Sequence, residues 1–315
     1  MMEFRTIGSL RVSVVGLGCN NFGRHLSSAE ADSVVSAAID AGINFFDTAD
    51  VYFGVEGASE VQLGQALRGR RDSVIVATKF GKPHPQGDAG WGGASPTWIR
   101  KAVEGSLRRL DTDYIDLYQL HEPDSRVPIS ETLGALNELV TAGKIREIGH
   151  ANFSAVEIDE AERVAEAMGV RAFASTQVEW NLLNRTAELT VIDKAKAVGL
   201  RVLPYFPLAS GLLTGKYFEP EVDPRWRLSK IPNRARFIND RAVEIARKLD
   251  QLARERGRTL LELALSWLAG QNVVASVIAG ATTPEQVERN AVSASWRLDE
   301  ELAQEIDAVT LGGDV

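Results

Sequence analysis

The sequence predicts an α/β fold: a closed (β/α)8 barrel with an N-terminal β-hairpin and extra C-terminal helices. Three observations predict it. Short apolar runs alternate with helix-length amphipathic segments along nearly all 315 residues. The runs lack the polar–apolar alternation of a half-exposed sheet, so their strands are buried on both faces, as parallel strands covered by helices must be. The repeats are near-regular, and no linker or low-complexity segment divides them. That favours a barrel over an open doubly wound sheet, and one unit, 1–315, over two. Such barrels commonly reach about 250 residues and beyond as a single unit.

The elements follow in order. Residues 4–7 and 10–15 flank the turn pair Gly8-Ser9 and read as a hairpin, with 14–18 continuing as the first barrel strand. Ser27 caps a helix over 28–41, with Glu30 placed for a capping box and Gly42 as its stop. Strand 43–47 leads to helix 58–68, and strand 74–79 to helix 96–110, where Ser95-Pro96 supplies the cap and first-turn proline. Strand 114–120 precedes helix 129–142, closed by Gly143, and strand 145–150 precedes helix 155–168, opened by Ser154 with Glu157. The rhythm continues with strand 173–178, helix 186–198, strand 200–206, an irregular segment 207–240, helices 241–256 and 259–269, strand 273–278 and helix 284–295. An amphipathic helix over 299–309 finishes the chain.

With 44% hydrophobic and 25% charged residues, the composition is that of a globular protein. A net charge of −8 argues against nucleic acid as a partner, because phosphate backbones need a basic face. The single cysteine, Cys19, excludes an intrachain disulfide and suits a reducing cytoplasm. The polar N-terminus does not read as a signal peptide, and no apolar stretch reaches the ~20 residues that span a bilayer. The expectation is a cytoplasmic protein with a small-molecule partner; the oligomeric state is not readable.

Asp47, Lys79 and His121 each stand just past the apolar run of a predicted strand, and Tyr52 follows Asp47 in the loop leaving its strand. Singly, each has a bland reading as cap, surface charge, packed aromatic or core histidine. Together, at the C-terminal ends of neighbouring barrel strands, they read as an active site. A phenol ionises near pH 10, and a neighbouring ammonium should lower that value while a carboxylate holds the ammonium in place. His121 can share the same substrate oxygen. Such a set suits proton donation to a carbonyl oxygen while a nicotinamide or flavin delivers hydride, which no side chain can supply. A Schiff-base aldolase built on Lys79 is the competing chemistry, disfavoured by the adjacent tyrosine. The histidines His25, His84, His121 and His150 have no metal-ligand spacing, so no metal site is expected. The segment 207–240 carries Lys216, Arg225, Arg227, Lys230, Arg234 and Arg236, a basic loop suited to an anionic ligand such as a pyrophosphate.

These residues lie in a string of motifs that resembles the aldo-keto reductase superfamily. They are GLGCNNFG (16–23), FFDTADVYFGVEGASEVQLGQAL (45–67), IVATKFG (75–81), DYIDLYQLHEPD (113–124), GKIREIGHANFS (143–154), TQVEWNLLNR (176–185), LPYFPLASGLLTGKY (203–217) and SVIAGATTPEQVERN (276–290). The bacterial long-loop branch related to potassium-channel β-subunits is the more similar. The resemblance implies a TIM barrel that binds NADPH and reduces aldehydes or ketones to alcohols. By motif position it implies Tyr52 as general acid, Lys79 and Asp47 tuning it, and His121 orienting the carbonyl. It puts Asn152 and Gln177 at the nicotinamide carboxamide, and Tyr205 stacked on the ring. Leu208, Ser210, Leu212 and Lys216 would then lie at the pyrophosphate, and Gly280, Thr282, Gln286 and Asn290 at the adenosine, beside a helix N-terminus that favours anions.

Two departures bear on the cofactor. Ala151 stands where the family commonly has Ser before the carboxamide-binding Asn, and the loop GATTPEQ lacks the Lys and Arg that many members set against the 2′-phosphate. Arg236, Lys216 or Arg289 would compensate, which keeps NADPH ahead of NADH. Asn20, Asn21, Phe22, Phe53, Trp91 and the 207–240 loop are expected to line the substrate pocket. The alternative function is a cofactor-binding redox sensor of slow turnover that acts on a protein partner.

Overall fold

The computed structural model describes residues 2–53, 57–83, 92–218 and 238–312. The hairpin is β1 (Phe4–Ile7) and β2 (Leu10–Ser13), turning at Gly8 with φ 53°. Eight parallel strands follow, each tied to the next by a helical crossover. They are β3 (Val15–Gly18), β4 (Phe45–Asp47), β5 (Ile75–Phe80), β6 (Ile115–Leu120), β7 (Ile145–Ala151), β8 (Ser175–Glu179), β9 (Arg201–Tyr205) and β10 (Val277–Gly280). Their order runs β10-β3-β4-β5-β6-β7-β8-β9. The remaining seam is bridged where Val202 N–H donates to Val273 O and Ala275 N–H donates to Val202 O, both at 2.9 Å. The architecture is a (β/α)8 TIM barrel, as expected.

The helices of the first half are α1 (Ser28–Asp40), α2 (Ala58–Ala66), α3 (Pro96–Leu110), α4 (Ile129–Thr141) and α5 (Ala155–Met168). The second half adds α6 (Asp193–Val198), α7 (Asp240–Glu255), α8 (Leu260–Ala269), α9 (Pro284–Ser293) and α10 (Glu300–Leu311). The expected capping boxes at Ser27–Glu30 and Ser154–Glu157 both form, and Ser95 accepts from Trp98 N–H ahead of Pro96. No helix among the described residues is long and apolar enough to cross a membrane.

Three expected elements differ. The strand placed at 43–47 starts at Phe45, because Ile43 N–H is still occupied by Ala38 O at the end of α1. The strand placed at 273–278 is β10, shifted toward the C-terminus, since 273–275 serve the seam with β9. The helix placed at 186–198 opens with a wide π-helical turn at Glu188–Ile192 before α6, where Glu188 is held by Trp180 Nε1 and Arg185.

Which end of the barrel is open is decided by the hairpin. Ile7, Leu10 and Val12 are buried against the inward-facing Phe45, Ala77, Leu117 and Leu203. Arg5 donates to the carbonyls of Ala269, Gln271 and Val274, and Ser9 donates through N–H and Oγ to Glu147. The N-terminal mouth is therefore plugged, leaving the C-terminal strand ends to hold chemistry.

Candidate active site

Adjacent strand tips gather the predicted residues. Gly18 pairs with Asp47, Asp47 with Ala77, Lys79 with Gln119, Gln119 with Gly149, and Ala151 with Gln177, so six successive strands, β3 to β8, meet at one rim. Tyr52 comes from the β4–α2 loop, where its N–H donates to Ala49 O and its carbonyl accepts from Ser59 N–H. His121 follows β6 directly, with its N–H on Phe80 O.

Lys79 is 1% exposed and spends its ammonium on three acceptors. These are Asp47 Oδ2 at 2.6 Å, Thr48 O at 2.7 Å and Tyr52 Oη at 3.3 Å. Asp47, also buried, accepts at Oδ1 from Gln177 Nε2 at 2.9 Å and Gln119 Nε2 at 3.3 Å. The Tyr52 ring meets His121 edge to face with centroids 5.9 Å apart.

The electrostatics depart from the expectation in one respect. Burial pushes the Tyr52 phenol above its ordinary value, and the opposing pull of Lys79 does not cancel it. The reason is that Asp47 already neutralises Lys79 in direct contact, and the carboxylate itself disfavours a phenolate. Tyr52 is thus a neutral phenol at neutral pH, the form that can donate a proton. His121 is held well below the ordinary imidazole range by burial and by the charges of Lys79 and Lys82, so it faces the site neutral. Among the described residues its Nδ1 has no partner. Cys19, beneath Asp47, is fully buried, and burial with that carboxylate pushes its thiol well up, so it is inert as a nucleophile.

Behind the rim, Glu60 is fully buried and accepts from Thr78 Oγ1 and Arg109 Nε, both at 2.6 Å. Burial and the Glu60 charge push the neighbouring Asp50 carboxyl well up. Sequence reasoning passed over Gln119, Asp50 and Glu60. The signal for Gln119 was its parity: two residues from Leu117 on a strand, it must share that residue's inward face.

A cavity of about 1170 Å³ runs from this rim across the barrel mouth to α9. Asp47, Tyr52, His121 and Phe53 line it together with Asn152, Gln177 and Tyr205, and Asn21 lines it beside Ala281, to whose carbonyl its Nδ2 donates. Leu208, Ser210 and Lys216 come next, then Gly280, Thr282, Gln286, Arg289 and Asn290. Arg24, His25 and Lys82, not singled out in the sequence, also line it, with Lys82 paired to Glu122 at 2.5 Å.

Phe22 and Leu212, expected at the substrate and the pyrophosphate, keep their side chains out of the cavity. Both are fully buried in the core shared by strands and helices and do not line the cavity, because their side chains turn inward from the loops that carry them. Trp91 and Arg236, with Arg225, Arg227, Lys230 and Arg234, lie outside the described residues. Residues 207–218 are not wholly irregular, since Ala209–Thr214 contains tight 3-10-type turns broken by left-handed backbone at Ser210 and Gly211.

Whether a dinucleotide suits this cavity is testable on its wall. Phe206, Ala209 and Ser210 have φ of 52°, 45° and 57°, followed by Gly211 at 104°. Left-handed residues in succession are costly for side chains, and here they turn the backbone tightly, with Ala209 N–H donating to Phe206 O at 2.9 Å and Gly211 N–H to Leu208 O at 2.7 Å. Among the described residues, Ser210 Oγ is buried there without a partner. Asn152, at φ 62°, donates through Nδ2 to His121 O and accepts at Oδ1 from the Tyr205 hydroxyl, both at 3.0 Å. At the far end, Gln286 Oε1 accepts from Thr282 N–H at 2.8 Å, closing the loop over the start of α9. Arg289 makes no ion pair among the described residues. With Ser210 Oγ, Lys216 and Arg289 in its lining, the cavity offers donors and positive charge suited to a ligand that carries anionic groups. Among the described residues, no group of His, Cys, Asp and Glu could hold a metal ion.

Comparison with known proteins settles the family. The model of the Aldo/keto reductase family matches residues 14–310. The chain belongs to this family. It is 35% identical to a probable voltage-gated potassium channel subunit beta of Oryza sativa subsp. japonica, over 98% of this chain and 96% of that one. It is 34% identical to an uncharacterized oxidoreductase, YrpG, of Bacillus subtilis (strain 168), covering 99% and 97%. A probable aldo-keto reductase 1 of Glycine max is 32% identical, covering 96% and 86%. As an aldo/keto reductase the protein is an oxidoreductase, in a family that typically uses NADP(H) and acts on small-molecule carbonyls.

Proposed function

We propose that this aldo/keto reductase reduces aldehydes or ketones to alcohols with NADPH, working as one unit over 1–315 in the reducing cytoplasm. The observation that carries the reading is the Tyr52 hydroxyl, protonated and touched by Lys79 Nζ at 3.3 Å, in the lining of a cavity of about 1170 Å³. When bound, the nicotinamide would supply the hydride to the carbonyl carbon. Tyr52 donates its proton to the carbonyl oxygen as charge develops there. Lys79 stabilises the phenolate left behind, and Asp47 keeps the ammonium aimed. His121, neutral, donates a ring N–H to the same oxygen and fixes its position. Asn152 and Gln177 would hold the carboxamide, and Tyr205 the ring face. Ser210 and Lys216 would take the pyrophosphate, and Gly280, Thr282, Gln286 and Asn290 the adenosine, with Arg289 reading the 2′-phosphate.

Titrating the purified protein with NADPH and NADH by fluorescence, followed by turnover on a carbonyl panel, tests the reading. NADPH should bind more tightly and support reduction. Tight binding with negligible turnover on every carbonyl would instead support the redox-sensing role. Failure to bind either nucleotide would remove both.

A further inference from the structure

Asp47 is gripped on both oxygens, and one of the gripping residues never reaches the cavity. Gln119 is fully buried on β6, faces Lys79 across the strand pair, and does not line the cavity. Its Nε2 donates to Asp47 Oδ1 at 3.3 Å, and its Oε1 accepts from Gln177 Nε2 at 3.4 Å. Gln177 donates to the same Asp47 Oδ1 at 2.9 Å. Asp47 Oδ2, on the other side, takes Lys79 Nζ at 2.6 Å.

The consequence follows from counting donors. The Lys79 ammonium has three N–H groups, and Asp47, Thr48 O and Tyr52 Oη use all of them. Turning the Asp47 carboxylate about its Cβ–Cγ bond would remove the acceptor that directs the third N–H at the phenol. Among the described residues, the side chains that resist this turn at Oδ1 are the amides of Gln119 and Gln177. The bland reading is that Gln119 fills the barrel and satisfies itself locally. Against it, Leu117, the inward-facing residue two positions earlier on β6, fills the barrel with an apolar side chain and has no amide to desolvate. The amide spends its donor on Asp47 and not on backbone.

We infer that Gln119 is a positioning residue for proton transfer, acting through Asp47 and Lys79 to aim the ammonium at Tyr52. The inference rests on the reading of Tyr52 as proton donor. The role falls to Gln119 because Gln177 lines the cavity and would also meet the cofactor, so Gln119 can be altered without touching any bound molecule.

The test is Gln119→Met in the full chain, which keeps side-chain length and removes both amide functions. With a good aldehyde, kcat should fall about 10- to 100-fold, the range that misplacing a reacting group costs. The NADPH Kd, read by fluorescence titration, and the aldehyde KM should stay within about twofold. The solvent deuterium isotope effect on kcat should rise, since proton donation becomes slower relative to the other steps. Gln119→Asn, which keeps an amide too short to reach Asp47, should move the same way. A folded variant with wild-type kcat overturns the inference. So does a fall in kcat matched by weaker NADPH binding with an unchanged isotope effect, which would mark general loosening. Should neither variant fold, Gln119 is structural and the inference is lost. A wild-type protein that binds no nucleotide and reduces no carbonyl would instead fail the reading of function itself.

Discussion

The two ends of the cavity are built on opposite plans. At the Tyr52 end every polar group of Asp47 and Lys79 is matched, both residues are buried, and their geometry is fixed by neighbouring strands. At the α9 end the polar groups sit on a loop and a helix start, and Arg289 makes no ion pair among the described residues. The difference separates chemistry from recognition. A reaction needs donors already aimed, because reorganising them at the barrier is costly. A binding end can keep a charge unpaired in water and let the ligand complete it. Substitutions at the first end should therefore act on turnover and stability, and those at the second on affinity.

The sharpest test of that division is Tyr52→Phe. Losing a general acid costs about 10²- to 10⁴-fold, so kcat should fall by that factor while the NADPH Kd moves less than about twofold. A variant that retains wild-type rates with a good aldehyde breaks the comparison at its strongest point. Lys79→Met comes next, and it should damage the fold as well as the rate. It leaves the buried Asp47 carboxylate without its cation, which costs about 3 kcal/mol or more in denaturant unfolding. Unchanged unfolding would mean the pair is not the closed unit described.

How much of this was legible beforehand follows the same line. The barrel was readable because buried parallel strands write themselves as continuous apolar runs with caps between them, as at Ser27 and Ser154. The displaced β10 was not, because 273–275 and 277–280 are equally apolar and only pairing with Val202 divides them. The aldo/keto reductase family membership and the barrel both stood in the motifs. Strand-tip position pointed to Asp47, Lys79 and His121, but side-chain direction in loops has no period to read, so Phe22 and Leu212 were assigned to a surface they turn away from. The direction of the Tyr52 shift was also hidden. It depends on burial and on Asp47 neutralising Lys79, neither of which a spacing shows.

At the recognition end, Arg289→Ala should weaken NADPH binding about tenfold and leave NADH within about twofold, the size of one lost charge-assisted phosphate contact. Fluorescence titration with both nucleotides measures it. Equal losses for the two would move the 2′-phosphate contact off Arg289 and leave the α9 end without its proposed cation.

The smallest effect concerns acid. His150 on β7 is fully buried between Phe153 and Phe173, at centroid distances of 4.2 and 5.0 Å, and among the described residues neither ring nitrogen has a partner. Burial lowers it from 6.5 to about 3, and His121 beside the rim is lowered too. A histidine depressed in the fold stays neutral while the unfolded chain takes up a proton below 6.5. Its cost is therefore absent above that pH and grows as pH falls toward about 3. His150 should remove about 1 kcal/mol of stability between pH 7 and 5.5, and His121 acts in the same direction. Both stand on β6–β7 near the Tyr52 end, and the α9 end, 280–293, has none. Hydrogen exchange at mild acid should loosen β7 before α9, and His150→Leu should reduce the pH slope of unfolding. A slope unchanged in that variant would show that His150 does not titrate on unfolding, and the acid asymmetry between the two ends would rest on His121 alone.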